Sequence, residues 1–183
     1  YYKNPTATKE TIIDGWLQTG DVGKIDSDGY LFITGRKKEI YVSSSGKNVA
    51  PLVIEESIKS IPIVSQCFLV GDNRKFCSAL ITLDMSVILR DYLGVDVNEI
   101  PKDPSKQNEM ILDHNKKLSD YTDNQDIVEK VFVDIQKMNQ NFSSPEQIKK
   151  FSILPRDFSI DDGELTPTLK IRRKHINENW ASV

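Results

Sequence analysis

The sequence of 183 residues lacks most of what secreted, membrane-spanning and metal-binding proteins need. Its two cysteines, Cys67 and Cys77, are too few for a disulfide framework and lie in apolar, strand-like runs. We therefore expect two buried, reduced thiols, with a single bridge between them as the alternative. The two histidines, His114 and His175, are isolated and support neither a metal site nor a catalytic triad. No apolar run approaches the roughly 20 residues that cross a bilayer.

A strong charge of either sign is also missing. The net charge is −3, and the isoelectric point near 5.5 argues against a nucleic-acid-binding protein. A hydrophobic content of 38% and a charged content of 28% are typical of a globular chain with one substantial core. The polar first residues contain neither an initiator Met nor a basic and then apolar leader, so we expect a piece of a longer protein.

The most informative stretch is residues 19–38, TGDVGKIDSDGYLFITGRKK. A glycine turn presents Asp21, a hairpin turn is predicted at 26–29, and the strand 30–34 leads to Arg36. A carboxylate that accepts two hydroxyl hydrogen bonds, near an arginine that can bind phosphate, suits a nucleotide. The alternatives are a turn-capping aspartate and a surface ion pair.

This stretch resembles the adenylate-forming enzymes, namely the acyl-CoA synthetases, firefly luciferase and the adenylation domains of peptide synthetases. The resemblance implies that Asp21 binds the ribose hydroxyls and that Arg36 binds the nucleotide. It also implies that Lys38 is the hinge between a large N-terminal domain and a small C-terminal domain. The resemblance runs through residues 1–173 and is weakest at about 94–150.

The resemblance implies an α+β fold. Residues 1–36 would be the end of the large AMP-binding domain, and 37–38 would be the hinge. Residues 39–183 would form the small mobile domain, a short, mainly antiparallel sheet flanked by helices and preceded by the last β-hairpin of the large domain. A largely helical insertion is expected at about 94–150.

Apolar patterns and turn residues place the elements within the small domain. Two strands, 64–70 and 76–83, are predicted to form a hairpin packed on a helix over 51–60, with the helices on one side of the sheet. Two further helices are predicted at 85–93 and 125–142, and a strand is predicted at 151–154. A short helix is predicted to restart at Ser144 and Pro145.

A second motif lies at residues 161–173, DDGELTPTLKIRR, where an acidic turn precedes a short extended segment with one lysine. It resembles the C-terminal motif of the family, which implies that Lys170 contacts the acyl carboxylate and the α-phosphate during adenylation. Many relatives have Gly before this lysine, whereas this chain has Leu169, and the form LTPTLK is typical of long-chain fatty acyl-CoA synthetases. The alternative for Lys170 is a solvated surface lysine.

Other conspicuous residues have simpler interpretations. The basic residues Arg172, Arg173 and Lys174 favour a solvated tail over a nucleic-acid patch, because the chain is acidic. The two tryptophans, Trp16 and Trp180, are predicted to pack.

The loop SSSGKN contains Ser45, Gly46, Lys47 and Asn48, and Gly46 permits a close backbone approach. The resemblance implies that this loop helps to form the tunnel for the pantetheine of CoA. Rotation about Lys38 would withdraw Lys170 from the active site and bring this loop into it. The alternative is an ordinary flexible loop.

The resemblance thus implies the C-terminal fragment of an ATP-dependent long-chain fatty acid–CoA ligase, an acid–thiol ligase. It would form an acyl-adenylate and pyrophosphate and then transfer the acyl group to CoA. The fragment should be inactive alone, since the phosphate loop and the acid that holds Mg²⁺ lie upstream. ATP, Mg²⁺ and CoA would serve the full-length enzyme, and the fragment alone would hold none of them.

The expected partners are fatty acid, ATP, CoA and the protein's own N-terminal domain, with no nucleic acid. The expected location is cytoplasmic, and peripheral membrane contact of the full-length enzyme stays open. Two other functions stay open as well: an adenylation enzyme that loads a carrier protein, and a non-catalytic interaction module that docks through the helix at 125–142. Acyl chain length, the role of 94–150 and the oligomeric state are left undetermined.

Overall fold

The computed structural model describes all residues, 1–183, which form six α-helices and nine strands. A π-helical turn over Ile88–Tyr92 and a 3-10 helix over Leu118–Tyr121 complete the helical elements. The helices are α1 (Pro5–Thr11), α2 (Pro51–Lys59), α3 (Met85–Val87), α4 (Pro104–Asp113), α5 (Gln125–Asn139) and α6 (Arg173–Asn179). The strands are β1 (Ile12–Ile13), β2 (Trp16–Leu17), β3 (Asp21–Ile25), β4 (Leu31–Arg36), β5 (Tyr41–Val42), β6 (Asn48–Val49), β7 (Val64–Val70), β8 (Cys77–Leu83) and β9 (Ile148–Ile153).

The central sheet has the order β7-β8-β9. Strands β7 and β8 form the predicted antiparallel hairpin, with an irregularity between Val64 and Cys67. Strand β9 pairs with β8 in parallel, from Cys77 opposite Ile148 to Ile81 opposite Ile153. A parallel neighbour requires a crossover connection, and residues 84–147 provide it with α3, α4 and α5.

The sheet is covered by helices on both faces. On one face, Cys67, Leu69 and Ile81 pack with residues of α2 and α5 into the larger core. On the other face, Phe68 and Leu80 pack with a smaller cluster that includes Ile176 of α6. The α+β fold with flanking helices is confirmed, but the narrower expectation of helices on one side is wrong. Helix α6 was not foreseen because Ile176 is its one buried residue, which leaves no apolar period to detect.

Residues 94–150 supply a large part of the larger core. Ile111 of α4, together with Ile127, Val131 and Ile135 of α5, is buried in the larger cluster. The predicted amphipathic helix is present, and it ends at Asn139, whose side chain bonds the backbone of Ile148 in both directions. This helix is therefore buried on its apolar face against the sheet.

Several local predictions are corrected. The segment at Ser144 and Pro145 is a turn and not a helix, because the chain passes directly into β9. The basic segment after Lys170 is not a solvated tail, since it enters α6. Trp16 is 76% exposed and does not pack, whereas Trp180 packs against the smaller cluster as predicted.

The two cysteines are free and buried, as predicted. Burial is the main reason that the pKa of the Cys67 thiol lies well above its usual value, and burial also raises the pKa of the Cys77 thiol. Both groups are therefore protonated thiols of low reactivity at neutral pH.

The N-terminal part consists of α1 and two hairpins. The hairpin β3–β4 turns at Asp26, whose carboxylate accepts hydrogen bonds from the amides of Asp28 and Tyr30. Its apolar side chains are largely exposed, among them Ile25 and Leu31. No helix in the chain is sufficiently long and apolar to cross a membrane.

Replacement of Ile135 by Ala should lower the free energy of unfolding by about 2–4 kcal/mol, because Ile135 is buried against the sheet and the change leaves a cavity. Urea unfolding monitored by circular dichroism measures the difference. The matched control is Val133→Ala on the exposed side of α5, which should change stability by less than about 0.5 kcal/mol. Equal effects would contradict the placement of α5 in the core.

Candidate functional site

Asp21 and Arg36 face each other at the open end of the hairpin. Strand β3 begins at Asp21, β4 ends at Arg36, and the two residues are direct antiparallel partners. The Nε of Arg36 lies 3.3 Å from the Oδ1 of Asp21. The side chains are 61% and 30% exposed, respectively. Because an exposed ion pair contributes little stability, a ligand can compete for both groups.

The joint after Arg36 is a turn whose ends are hydrogen-bonded. The amide of Lys37 donates to the Gly20 carbonyl at 2.8 Å, and the amide of Glu39 donates to the Arg36 carbonyl at 2.9 Å. Lys38 is exposed between them. Lys38 lines a cavity of about 440 Å³ together with Arg74 and Arg173.

Lys170 is presented on a tight turn, and this corrects the prediction of an extended segment. The amide of Lys170 donates to the Oγ1 of Thr166 at 3.0 Å, and the Thr166 amide donates to the Lys170 carbonyl at 2.9 Å. A bridge between Leu165 and Ile171 closes the base of the turn. Lys170 is exposed and makes no ion pair.

Arg36 and Lys170 line one cleft of about 310 Å³. Asp21 is joined to this cleft through its ion pair with Arg36. Leu52, Gln66 and Leu169 are among the other residues that line it. The structure thus brings together two cations and a carboxylate that lie up to 149 positions apart in the sequence (170 − 21). Neighbouring cations and an accessible carboxylate can bind the phosphate and the ribose of a nucleotide.

A buried carboxylate fixes the base of the Lys170 turn. Glu164 is fully buried and accepts two bonds from Arg156, at 2.7 and 3.0 Å. The indole of Trp180 donates to it at 2.8 Å. Burial alone would raise the pKa of Glu164, but the hydrogen bonds from Arg156 and its other neighbours outweigh burial, so this pKa lies below its usual value.

A second buried cluster was missed from the sequence. Arg173 donates to Glu55, which is 4% exposed, and to Glu39 at 3.4 Å. Its guanidinium lies 5.2 Å from the centre of the Phe68 ring. Burial alone would lower the pKa of Arg173, but the bonds to Glu55 and Glu39 raise it above the usual value. A glutamate between buried residues of α2 was the one signal of such a partner.

The loop predicted to bind CoA is a hydrogen-bonded turn between β5 and β6. The hydroxyl of buried Ser43 lies 2.9 Å from the Ser45 hydroxyl and accepts from the Lys47 amide at 3.2 Å. The Ser44 amide donates to the Arg74 carbonyl at 3.0 Å, so the loop is tied to the β7–β8 turn. Gly46 has a φ of 76°, in the region that favours glycine.

This turn is separate from the cleft of Lys170. None of its predicted residues lines that cleft or the cavity at Lys38. These four residues, Ser45, Gly46, Lys47 and Asn48, are all solvent-exposed. No group of three or more His, Cys, Asp or Glu side chains is arranged to hold a metal ion.

Replacement of Glu164 by Gln should lower the free energy of unfolding by about 2–3 kcal/mol at pH 7, because the buried side chain loses its charge and with it the charge-assisted hydrogen bonds from the partly exposed Arg156. A depressed carboxyl pKa stabilises the fold above the unfolded pKa of about 4.3, and this stabilisation is lost as the pH falls through the lower, folded pKa. Urea titrations at pH 7 and at pH 3 should therefore show a large and then a reduced difference.

The matched control is Asp162→Asn, since Asp162 also lies near Arg156 but is about half exposed. It should cost less than about 1 kcal/mol at either pH. A Glu164→Gln effect that does not change with pH would argue against an ionised Glu164.

The whole chain is similar to part of several long-chain-fatty-acid–CoA ligases. Long-chain-fatty-acid–CoA ligase FadD15 of Mycobacterium tuberculosis is 39% identical over 188 residues, covering 100% of this chain and 28% of that protein. Long-chain-fatty-acid–CoA ligase ACSBG1 of Rattus norvegicus is 36% identical, covering 100% of this chain and 26% of that protein. The chain therefore spans about a quarter of the length of the curated relatives it matches.

Among solved structures, the adenylation domain of a carboxylate reductase from Mycobacterium chelonae has a TM-score of 0.66 at 21% identity, covering 99% of this chain and 24% of that one. The A-PCP didomain of a carboxylic acid reductase from Segniliparus rugosus, in complex with AMP, has a TM-score of 0.64 at 21% identity and covers 99% of this chain and 22% of that one. At this identity the likeness shows the fold alone. Residues 38–91 match the family described as AMP-binding enzyme C-terminal domain. The comparisons thus show an AMP-binding enzyme C-terminal domain at residues 38–91, within a chain that is similar throughout its length to part of the long-chain-fatty-acid–CoA ligases.

Proposed function

We propose that this chain acts as the C-terminal part of an ATP-dependent long-chain fatty acid–CoA ligase. The relatives that cover the whole chain at 36–39% identity carry that name. The observation that carries the proposal is the single cleft that receives Arg36 from the hairpin and Lys170 from the C-terminal turn, with Asp21 beside the arginine. The domain division proposed with it places 1–36 in the large domain, 37–38 at the hinge and 39–183 in the small domain.

In the first half-reaction, the fatty acid carboxylate attacks the α-phosphorus of ATP. A phosphorus–oxygen bond to the acyl group forms, and the bond to pyrophosphate breaks. Asp21 would accept hydrogen bonds from the ribose hydroxyls, and Arg36 and Lys170 would stabilise the negative charge at the α-phosphate. Phosphoryl transfer needs little covalent participation from the protein, so positioning and charge supply most of the rate.

In the second half-reaction, the thiol of CoA loses its proton and attacks the acyl carbonyl, and AMP leaves. Rotation about Lys38 would withdraw Lys170 and bring the loop of Ser45, Gly46, Lys47 and Asn48 to the acyl-adenylate. Support comes from the exposed position of Lys38 in the turn and from the observation that none of these loop residues lines the cleft of Lys170.

The remaining substrates and partners follow from the same proposal. Mg²⁺ would enter with ATP, since this chain offers no cluster of metal ligands. The exposed apolar side chains of the β3–β4 hairpin, Ile25, Leu31 and Ile33, suit packing against the rest of a large N-terminal domain. For the full-length enzyme we propose a cytoplasmic location, with peripheral membrane contact as the alternative.

Replacement of Lys170 by Ala in the enzyme with its complete N-terminal domain should slow acyl-adenylate formation by about 10²–10³-fold, as expected for loss of one transition-state donor. Thioester formation from supplied acyl-adenylate should change less than about threefold. Fatty-acid-dependent pyrophosphate release measures the first step, and acyl-CoA yield measures the second.

The matched control is Lys174→Ala, another exposed lysine four residues away, which should leave both steps intact. Unchanged adenylation in the Lys170 variant would contradict its role. The same assays with free CoA and with a carrier protein identify the acceptor, and a higher thioester yield on the carrier protein would contradict CoA.

Replacement of Lys38 by Pro should retain adenylation within about threefold but lower acyl-CoA formation more than about tenfold, because proline fixes φ where the backbone must rotate. The control Lys38→Ala should retain both steps, since a hinge needs backbone freedom and not a particular charge. Both steps are followed by stopped-flow and product assays. An equal loss in the two half-reactions of the proline variant would point to misfolding and not to a blocked hinge.

A further inference from the structure

Leu169, directly before Lys170, has an unfavourable backbone conformation. Five non-glycine residues have a positive φ, and three of them are Asp or Asn, which tolerate it. The other two are Lys3, at 52°, and Leu169, at 58°. A leucine in this region crowds its Cβ against the backbone, and such conformations persist where surrounding structure or function requires them.

Folding does not explain the leucine. Its side chain is 69% exposed and belongs to neither apolar cluster. Its own hydrogen bond, from its amide to the Thr166 carbonyl at 2.8 Å, would form equally with glycine. Glycine would also adopt this φ without crowding. The isobutyl group therefore costs stability and contributes no packing in return.

The position of Leu169 indicates what the side chain can contact. Leu169 and Lys170 line the same cleft as Arg36, and Leu52 and Ile171 provide further apolar surface there. Leu169 is held in a turn that two hydrogen bonds between Thr166 and Lys170 close: the Lys170 amide donates to the Thr166 hydroxyl, and the Thr166 amide donates to the Lys170 carbonyl. Wherever this turn carries the lysine, the leucine side chain moves with it.

We propose that Leu169 is a further contact residue of the adenylation reaction, whose isobutyl group packs on an apolar part of the acyl-adenylate as Lys170 engages. This inference rests on the proposed function. Because the contact forms only when the turn closes on the reacting groups, it acts on kcat and not on the KM of either substrate. Leu169 would thus add apolar complementarity to the charge complementarity of its neighbour.

The test uses three variants of the enzyme with its complete N-terminal domain. Leu169→Ala keeps the crowded backbone and removes the contact, Leu169→Gly removes both, and Leu169→Met keeps both. The matched control is Lys3→Gly, which relieves the same backbone conformation away from the cleft. The measurements are kcat and both KM values for fatty-acid-dependent pyrophosphate release, thioester formation from supplied acyl-adenylate, and the thermal midpoint.

Leu169→Ala and Leu169→Gly should lower the kcat of adenylation by roughly tenfold, the effect of losing a partly buried isobutyl group. Both KM values and the thioester step should change less than about twofold. Leu169→Met should retain at least about a third of the activity. The thermal midpoints of Leu169→Gly and Lys3→Gly should equal or exceed that of the unmodified enzyme, and Lys3→Gly should keep full activity.

Adenylation by Leu169→Ala within about twofold of the unmodified enzyme would overturn the inference. So would a loss confined to Leu169→Gly, because that result assigns the effect to the backbone and not to the side chain. If the unmodified enzyme releases no pyrophosphate in response to fatty acid, the proposed function itself fails. An active enzyme that is insensitive to Leu169→Ala removes only the role of Leu169.

Discussion

The buried carboxylate of Glu55 is the interaction on which the arrangement of this site depends. One of its oxygens accepts the Leu69 amide of the central sheet at 2.7 Å, and the other accepts the guanidinium of Arg173. Helix α2, strand β7 and helix α6 therefore meet at one charge. Removing one partner of a buried pair typically costs about 3–5 kcal/mol, because the remaining charge is left without water or a counter-ion.

Arg173 connects the Glu55 carboxylate to two parts of the candidate site. It begins α6, three residues after Lys170, and it also reaches Glu39 at the end of the joint. Arg173 and Glu39 line both the cleft of Lys170 and the cavity at Lys38. The turn that presents the lysine and the segment that follows the proposed hinge are thus attached to the same rigid base.

The groups proposed for chemistry and the groups that support them differ in exposure. Asp21, Arg36 and Lys170 are accessible and weakly held, so a ligand can take them without breaking the fold. Glu55 and Glu164 are buried and fully hydrogen-bonded. An enzyme that changes conformation during its reaction benefits from this separation. Flexible cationic side chains are positioned accurately only when the backbone that carries them is anchored.

Much of the candidate site could be predicted from sequence because its signals are local. Asp21 and Arg36 are separated by a short hairpin, which its turn residues and strand composition predict from the sequence alone. The β7–β8 hairpin and α5 have clear periods, and resemblance to a family identified the lysine and the loop at 45–48. Roles that rest on that resemblance, including the hinge at Lys38, stay predictions.

Other features required tertiary structure, for the same physical reason in each case. Helix α6 buries a single apolar residue, Ile176, and the parallel pairing of β9 joins strands 65 positions apart (148 − 83). The partners of Glu55 and Glu164 come from distant segments. The positive φ of Leu169 could not be predicted, because leucine rarely adopts it. Local sequence determined where turns, strands and an amphipathic helix form, whereas the choice of partner for each buried charge was decided only by packing, because it depends on which distant segments the fold brings together.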